Sequence, residues 1–354
     1  MPFSKWFQYI EENLFKAHEG FHELPYLSNN PRLIVDSFAS LAIATHNKTA
    51  QILFSDNTYF KGEQHYFEIE EGLWLLATDF NFRKNMVCKA IYNTPTASDY
   101  YFLSFSVFEY QYPVNNSFTE FASLNSITCT FYKPGTRVDN FFYENTHGKV
   151  FNLGFTRKWL QKFLIFRNKA EASTVENFLD ENTGFINWLD IVPDAERLVK
   201  ELWDYFTAEK DKEAKNTYLG NKVKSIVNNF FTSQLFLKRV VSYPKLMNPD
   251  YSIVARAEKL ILMHLRTPFL GVEAISKSVH VCPTKLKTVF KSVFGFSMLQ
   301  YHKEKNMLLA MQLIKKSDMH IRNIALLTGY ESASKFTAAF KKRFGYLPSQ
   351  KRNN

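Results

Sequence analysis

The sequence predicts an α+β multidomain chain. Its N-terminal part reads as an antiparallel β-barrel or jelly roll with attached helices, and its C-terminal part as an all-α domain of two helix-turn-helix units joined by a long helix. Three observations carry this. Between Pro31 and Phe155, short runs rich in Phe, Tyr, Thr, Val and Ile are separated by turn residues such as Ser55-Asp56-Asn57, Thr94-Pro95, Asn115-Asn116 and Pro134-Gly135. Near the C-terminus, Gly329 to Gly345 (GYESASKFTAAFKKRFG) reads as a turn and a basic helix, with a fainter copy, HVCPTKLKTVFKSVFG, at His280 to Gly295. Finally, Tyr251 to Asn354 holds 18 Lys+Arg against 5 Asp+Glu, whereas the first 250 residues hold 26 against 29.

In chain order, Ser4 to about Ala17 has helical spacing, with Ser4 as N-cap and Trp6, Ile10, Leu14 and Phe15 on one side. Two strands of the β-rich region show period-2 alternation. Tyr101, Leu103, Phe105 and Val107 share one face opposite Ser104 and Ser106, and Ile127, Cys129 and Phe131 share one opposite Ser126, Thr128 and Thr130. A barrel built of such strands has an interior able to hold a ligand.

After Phe155 the pattern turns helical. Thr156 to Leu164 places Trp159, Leu160 and Phe163 at helical spacing, and Pro193 opens a helix running to about Lys210 with Asp194 and Glu196 in its first turn. From Lys215 to about Arg239, Leu219, Val223, Ile226, Val227, Phe230 and Leu237 form a stripe that must bury itself. It fits packing on its own barrel or a two-helix seam between subunits; Leu219, Val223, Ile226, Val227 and Phe230 are the seam candidates. Ser242-Tyr243-Pro244 and Asn248-Pro249-Asp250 mark a linker. The predicted boundaries are 1–243 (β-rich 31–155, helical 156–240), linker 244–250 and a domain at 251–354, with helix-turn-helix units at about 271–295 and 320–345.

Asp250 or Ser252 caps the next helix, whose inner face holds Val254, Ala257, Ile261 and Leu265. In the first unit Val272, Ile275 and Val279 point inward and Pro283 opens the second helix, where its missing N–H costs nothing. Leu286, Val289, Phe290 and Val293 are its inner face, so Thr284, Lys285, Lys287, Thr288 and Lys291 point out. A helix from about Ser297 to Lys316 joins the units. In the second, Gly329 supplies a positive φ and Ser332 caps a helix with Phe336, Ala339, Phe340 and Phe344 inside, and Ser334, Lys335, Thr337, Ala338, Lys341 and Lys342 outside. The two copies align at an offset of 50 after the turn (Phe290, Lys291, Phe294 and Gly295 with Phe340, Lys341, Phe344 and Gly345) and 49 before it (Ile275 and His280 with Ile324 and Gly329), so the turns differ by one residue.

A basic surface on a small helical domain is the footprint of a polyanion binder, although a solvated lysine face gives the same composition. Short polar side chains among lysines on a helix suit a major groove. Cys88, Cys129 and Cys282 are too few and scattered for a disulfide framework, which fits a reducing cytoplasm. There is no apolar run of membrane-spanning length, no signal peptide, no glycine-rich phosphate loop, no GxSxG turn and no paired cysteine motif.

Residues from about 251 to 352 resemble the DNA-binding domain of the AraC/XylS family of bacterial transcription regulators. The resemblance rests on Ala310 with Leu313-Ile314, Ile324-Ala325, Gly329-Tyr330, Ser334 with Phe336, Phe340-Lys341-Lys342, and Phe344-Gly345 followed by Pro348-Ser349. Asn306, Lys335 and His280 depart from it, standing where the family usually has a basic residue, an aromatic and a glycine. The resemblance implies two recognition helices in adjacent major-groove segments, centred about 34 Å apart. By motif position Thr284, Lys287, Thr288, Ser334, Lys335 and Ala338 fall at base-reading sites, and Lys285, Lys291, Ser332, Lys341, Lys342 and Arg343 at backbone-contacting ones. It further implies a cupin-like N-terminal region for sensing and dimerisation, and a transcriptional regulator or activator with double-stranded DNA, a small effector, a second copy of itself and RNA polymerase as partners, and no cofactor. Two rivals are a cupin-type metal enzyme with a DNA-binding tail and a non-specific architectural DNA binder. For the enzyme, His65 with Glu68 and Glu70 is the one ligand-like group, and His65 reads better as a strand-surface histidine; His18, His22, His46 and His147 stand apart.

Overall fold

The computed structural model describes residues 3–18, 20–92, 98–113, 121–136, 139–180, 185–189, 195–208, 212–234 and 248–352. The backbone divides into two compact units, Met1–Phe108 with Ser126–Ser252, and Glu109–Asn125 with Ile253–Asn354. No described helix is long and apolar enough to cross a membrane.

The first unit begins with α1 (Phe3–Asn13), β1 (Ala17–His18), β2 (Phe21–Leu27), α2 (Pro31–Ala39), β3 (Thr45–Asn47), β4 (Ile52–Asp56), β5 (Phe60–Glu70), β6 (Leu73–Phe82) and β7 (Met86–Ile91). It continues with β8 (Tyr100–Pro113, in this unit to Phe108), β9 (Phe121–Tyr132, in this unit from Ser126), β10 (Asp139–Phe142), β11 (His147–Thr156), α3 (Arg157–Phe163), α4 (Lys169–Asp180), β12 (Phe185–Leu189), α5 (Ala195–Thr207) and α6 (Lys212–Asn229), which widens into a π-helical turn at Phe230–Gln234. Strands order as β12-β9-β8-β11-β6-β5-β4-β3 in an eight-stranded sheet and β1-β2-β7-β10 in a four-stranded one. The second sheet is not the purely antiparallel arrangement expected, because β2 and β7 run parallel.

Cross-strand register explains how the large sheet is used. Phe67, Leu75 and Leu153 share one row, and the next holds His65, Ala77 and Phe151. With Tyr101, Leu103, Phe105, Phe131 and Phe155 they make one apolar face, covered by α3 to α6 through Trp159, Phe178, Leu202, Phe206, Val223 and Phe231. The opposite face carries Tyr66, Trp74, Leu76 and Phe102 and packs on Ile34 and Val35 of α2. Both faces of β8 are therefore covered, and Ser104 and Ser106, on the face opposite Leu103 and Phe105, are buried as well. Gly154 permits the approach of α2, since a Cβ there would lie 2.8 Å from Pro31 Cγ. Ion pairs tie the layers together: Arg157 bonds Asp180 at 2.6 Å and also holds Glu176, and Glu70 accepts from Trp159 Nε1 and Lys224 Nζ, each at 2.6 Å.

Several expectations are corrected here. The first helix is shorter than 4–17 and Ser4 lies inside it; the chain leaves it through Phe15, whose left-handed φ of 59° sets its ring 3.8 Å from that of Tyr59. Residues 31–39 are a helix rather than strand. Asn30 accepts the Leu33 N–H at 2.9 Å as N-cap and Pro31 takes the first position, a start signal masked by the β-branched Ile34 and Val35. The region read as wholly helical contains β12, which pairs with β9. Residues 248–250 of the expected linker are the first turn of α7 (Asn248–Met263), and 244–247 lie outside the described residues, as do Thr94-Pro95, Asn115-Asn116, Pro193-Asp194 and Leu237.

Two further corrections concern side chains. Of the two readings of the α6 stripe, the burial fits packing on its own sheet rather than the subunit seam: Leu219, Val223, Val227 and Phe230 are at most 3% exposed within the sheet-facing core, with Ile226 packed against it. His65 is no surface residue. It is buried, bonds Glu63 Oε1 at 2.5 Å and sits against the rings of Trp203 and Phe206, while Glu68 is exposed and Glu70 holds Trp159 and Lys224.

The centre of this packing is Phe131, fully buried against Tyr101, Phe155, Phe178, Phe230 and Phe231. Phe131→Ala removes a ring shared by sheet and helices and should cost about 3–5 kcal/mol in urea unfolding; a loss under about 1 kcal/mol would mean this core is not what holds the unit together.

Candidate nucleic-acid interface

In the second unit α7 is followed by α8 (Val272–Ser278), α9 (Pro283–Phe294), α10 (Met298–Lys316), α11 (Ile321–Leu327), α12 (Ala333–Phe344) and α13 (Pro348–Arg352). The pairs α8–α9 and α11–α12 repeat each other in hydrogen-bond detail. The Val281 N–H reaches Ser276 O at 3.1 Å, and the Tyr330 N–H reaches Ala325 O at 2.9 Å, an offset of 49. After the turn, Gly295 and Gly345 close their helices in left-handed conformation, each N–H donating at 2.8 Å to Lys291 O and Lys341 O, an offset of 50. Three residues separate the end of α8 at its cap, Val279, from α9, and four separate Thr328 from α12.

Each pair folds around an aromatic ladder. Phe290 and Phe294 lie 4.6 Å apart, as do Phe340 and Phe344. Tyr301 of α10 closes the first ladder at 4.7 Å from Phe294, and Tyr346 flanks the second at 6.1 Å from Phe340. Burying these faces turns the polar ones outward. Thr284, Lys285, Lys287, Thr288 and Lys291 are exposed on α9, and Ser334, Lys335, Ala338, Lys341, Lys342 and Arg343 are exposed on α12. The six expected base-reading positions thus all lie on exposed faces of α9 and α12. Ser332 is half-buried and works as the α12 N-cap, accepting the Lys335 N–H at 3.2 Å.

Local bonds distinguish these side chains. Thr288 Oγ1 donates to Thr284 O at 3.0 Å, leaving its oxygen lone pairs outward. Lys287, Lys291, Lys341 and Lys342 make no ion pair among the described residues. Arg343 does: Nε and Nη2 hold Glu304 of α10 at 2.7 and 2.5 Å, and its guanidinium stacks 5.0 Å from the Phe344 ring. Lys335 pairs with Glu331, one turn away. The sequence reading missed both pairings. The second has a signal in its i,i+4 spacing, whereas the first joins residues 39 apart and has none.

The connecting helix α10 is fixed at both ends. Ser297 and Gln300 form a reciprocal capping box. Tyr301 donates to Glu258 of α7 at 2.5 Å, and Asn306, at a departure from the family pattern, accepts the Arg266 N–H at 3.0 Å where the chain turns left-handed after α7. Burial pushes the neighbouring His302 imidazole down in pKa, toward the neutral form. At the far end Tyr346 Oη lies 3.8 Å from Met311 Sδ.

A family model described as "Helix-turn-helix domain" matches residues 275–354. The HTH-type transcriptional regulator ExsA of Pseudomonas aeruginosa is 42% identical over 69 residues, covering 20% of this chain and 25% of that protein. The HTH-type transcriptional regulator AlkR of Acinetobacter baylyi is 32% identical over 110 residues, covering 31% and 33%. The chain thus spans about a quarter to a third of the length of these relatives. Among solved structures, a transcriptional regulator of Chromobacterium violaceum with an AraC-type DNA-binding domain aligns at 24% identity and a TM-score of 0.28, covering 29% of this chain and 90% of that one.

The turns offer a test independent of DNA. His280 adopts a left-handed φ of 55° where the second turn has Gly329 at 82°. A Cβ at Gly329 would meet nothing within 4 Å, so Gly329→Ala isolates the backbone cost and should destabilise by about 1 kcal/mol. His280→Gly should be neutral or stabilising by up to about 1 kcal/mol, the relief of strain opposing the greater freedom of the unfolded chain. Urea unfolding checks that Gly329→Ala loses stability and His280→Gly does not.

Proposed function

We propose that the C-terminal region, of which residues 275–354 match a helix-turn-helix domain model, is an AraC-family DNA-binding domain, and that the protein is a sequence-specific transcriptional regulator whose two helix-turn-helix units place α9 and α12 in adjacent major-groove segments. The observation that carries this is the repeated pair of helices with capped, acid-free polar faces on either side of one helix in the chain. At 19 residues α10 is about 28 Å long, near the roughly 34 Å between successive major-groove segments on one side of a duplex.

The roles of the side chains divide by reach and by what already holds them. Thr284, Lys287 and Thr288 on α9, with Ser334, Lys335 and Ala338 on α12, are the base-reading set; Ala338 offers only a methyl contact. Lys287 is the best placed for a bidentate bond to guanine O6 and N7, a contact worth about 1–3 kcal/mol of discrimination. Lys285, Lys291, Lys341, Lys342 and Ser332 serve the phosphates. Arg343, held by Glu304, reaches a phosphate only by exchanging that partner.

The N-terminal unit is read as a cupin-like domain that senses a small effector and passes its occupancy to the DNA-binding unit. The reading is supported by the resemblance and by a large sheet roofed with helices. His65, Glu63, Asp79, His147 and Lys149 add polar groups at one end of that sheet's apolar core face, where Asp79 bonds His147 at 2.9 Å and also holds Lys149.

Competition tests the proposal. Fragments retained from the protein's own genome should displace labelled operator at least 100-fold better than random duplex at physiological salt; equal competition would leave only non-specific binding. Lys287→Ala should lower the preference for the operator, whereas Lys342→Ala should weaken binding to every sequence alike and reduce the salt slope by about one. Identical effects of the two on all sequences would contradict the division of roles.

A further inference from the structure

The C-terminal domain carries five acids between residues 251 and 354. Two are used within the fold, Glu258 by the Tyr301 hydroxyl and Glu304 by Arg343. Neither α9 nor α12 contains an acid in its sequence, and Glu331 comes two residues ahead of α12 with its side chain 81% exposed. Its partner is Lys335, itself 68% exposed and one of the base-reading positions proposed above. Bonding to Lys335 holds the Glu331 carboxyl below the usual carboxylate range.

A carboxylate beside a groove-reading helix acts against phosphate. On an arbitrary duplex it repels the backbone and neutralises a lysine that would otherwise add a phosphate contact. Its hold is weak, because an exposed i,i+4 pair contributes little and is readily exchanged. Guanine O6 and N7 together offer lysine two acceptors in the major groove. A phosphate offers Lys335 a similar charge but brings its own repulsion with Glu331.

We infer that Glu331 is a positioning residue for sequence discrimination: it keeps the Lys335 ammonium over the N-terminal end of α12, out of phosphate contact, until a base-edge acceptor replaces it. This rests on the DNA-reading assignment of α12. Glu331 therefore lowers affinity for random DNA more than for the operator, and so widens the gap between them.

The test is binding of the full chain to a genome-selected operator and to a random duplex of equal length over a series of salt concentrations. Glu331→Gln, which keeps size and polarity but loses the charge, should tighten random DNA by about 3- to 10-fold and steepen its salt slope by about one, with the operator changed less than about twofold. In a Lys335→Ala background, Glu331→Gln should no longer alter the ratio of the two affinities. Glu331→Asp should restore part of the wild-type ratio. Equal tightening on both duplexes, or a change in ratio that persists without Lys335, would overturn the inference and leave a bulk charge effect. A wild-type protein that does not distinguish the two duplexes would overturn the DNA-reading assignment itself, and this inference with it.

Discussion

The geometry of the second unit depends on how α10 is held. A helix of this length has no fixed relation to its neighbours unless side chains supply one, and here each end does so differently. At its start the capping box sets the first turn, Tyr301 receives the Phe290–Phe294 ladder of α9, and its hydroxyl reaches back to Glu258. Further along, Glu304 holds Arg343 of α12 and Met311 meets Tyr346. These are polar or aromatic contacts with defined geometry, so they set direction as well as affinity between helices. Two exposed polar faces, on α9 and α12, with a set separation follow from that; the proposed reading of DNA needs such a separation, and non-specific adhesion would not.

The N-terminal unit meets a different constraint. A sheet covered on both faces must fill two layers, and this chain does so with rings interleaved with aliphatic side chains. Buried Lys133 donates to Phe178 O at 2.6 Å, and Glu70, at the surface, joins the sheet to α3 and α6 through Trp159 and Lys224. The stripe of α6 is consumed by this roof. A helix stripe has the same pattern whether it meets its own sheet or a second subunit, which is why periodicity could not choose between them.

What could be read from sequence follows the range of the interactions involved. The C-terminal helices are delimited by local chemistry, with Pro283 and Ser332 at starts and Gly295 and Gly345 at ends, and their inward Phe, Leu and Val positions repeat within a few residues. The one-residue difference between turns was visible as a shift of offset. The N-terminal unit is set by non-local pairing. The parallel contact of β2 with β7 and the return of β12 to β9 leave no local trace. Alternation in β8 separates the two faces but does not say that both are covered, because a strand buried on both sides can still carry serines. On α12 the exposed positions followed from the pattern, whereas Glu304's hold on Arg343 depends on how two helices cross.

The central claim is that two recognition helices read one duplex at a separation set by α10. Hydroxyl-radical footprinting of the full chain on a genome-selected operator addresses it most directly. The account predicts two protected segments on one side of the duplex, their centres about 10 base pairs apart. Inserting five base pairs between them should abolish simultaneous protection while leaving one segment weakly covered. A single continuous footprint indifferent to that insertion would contradict it.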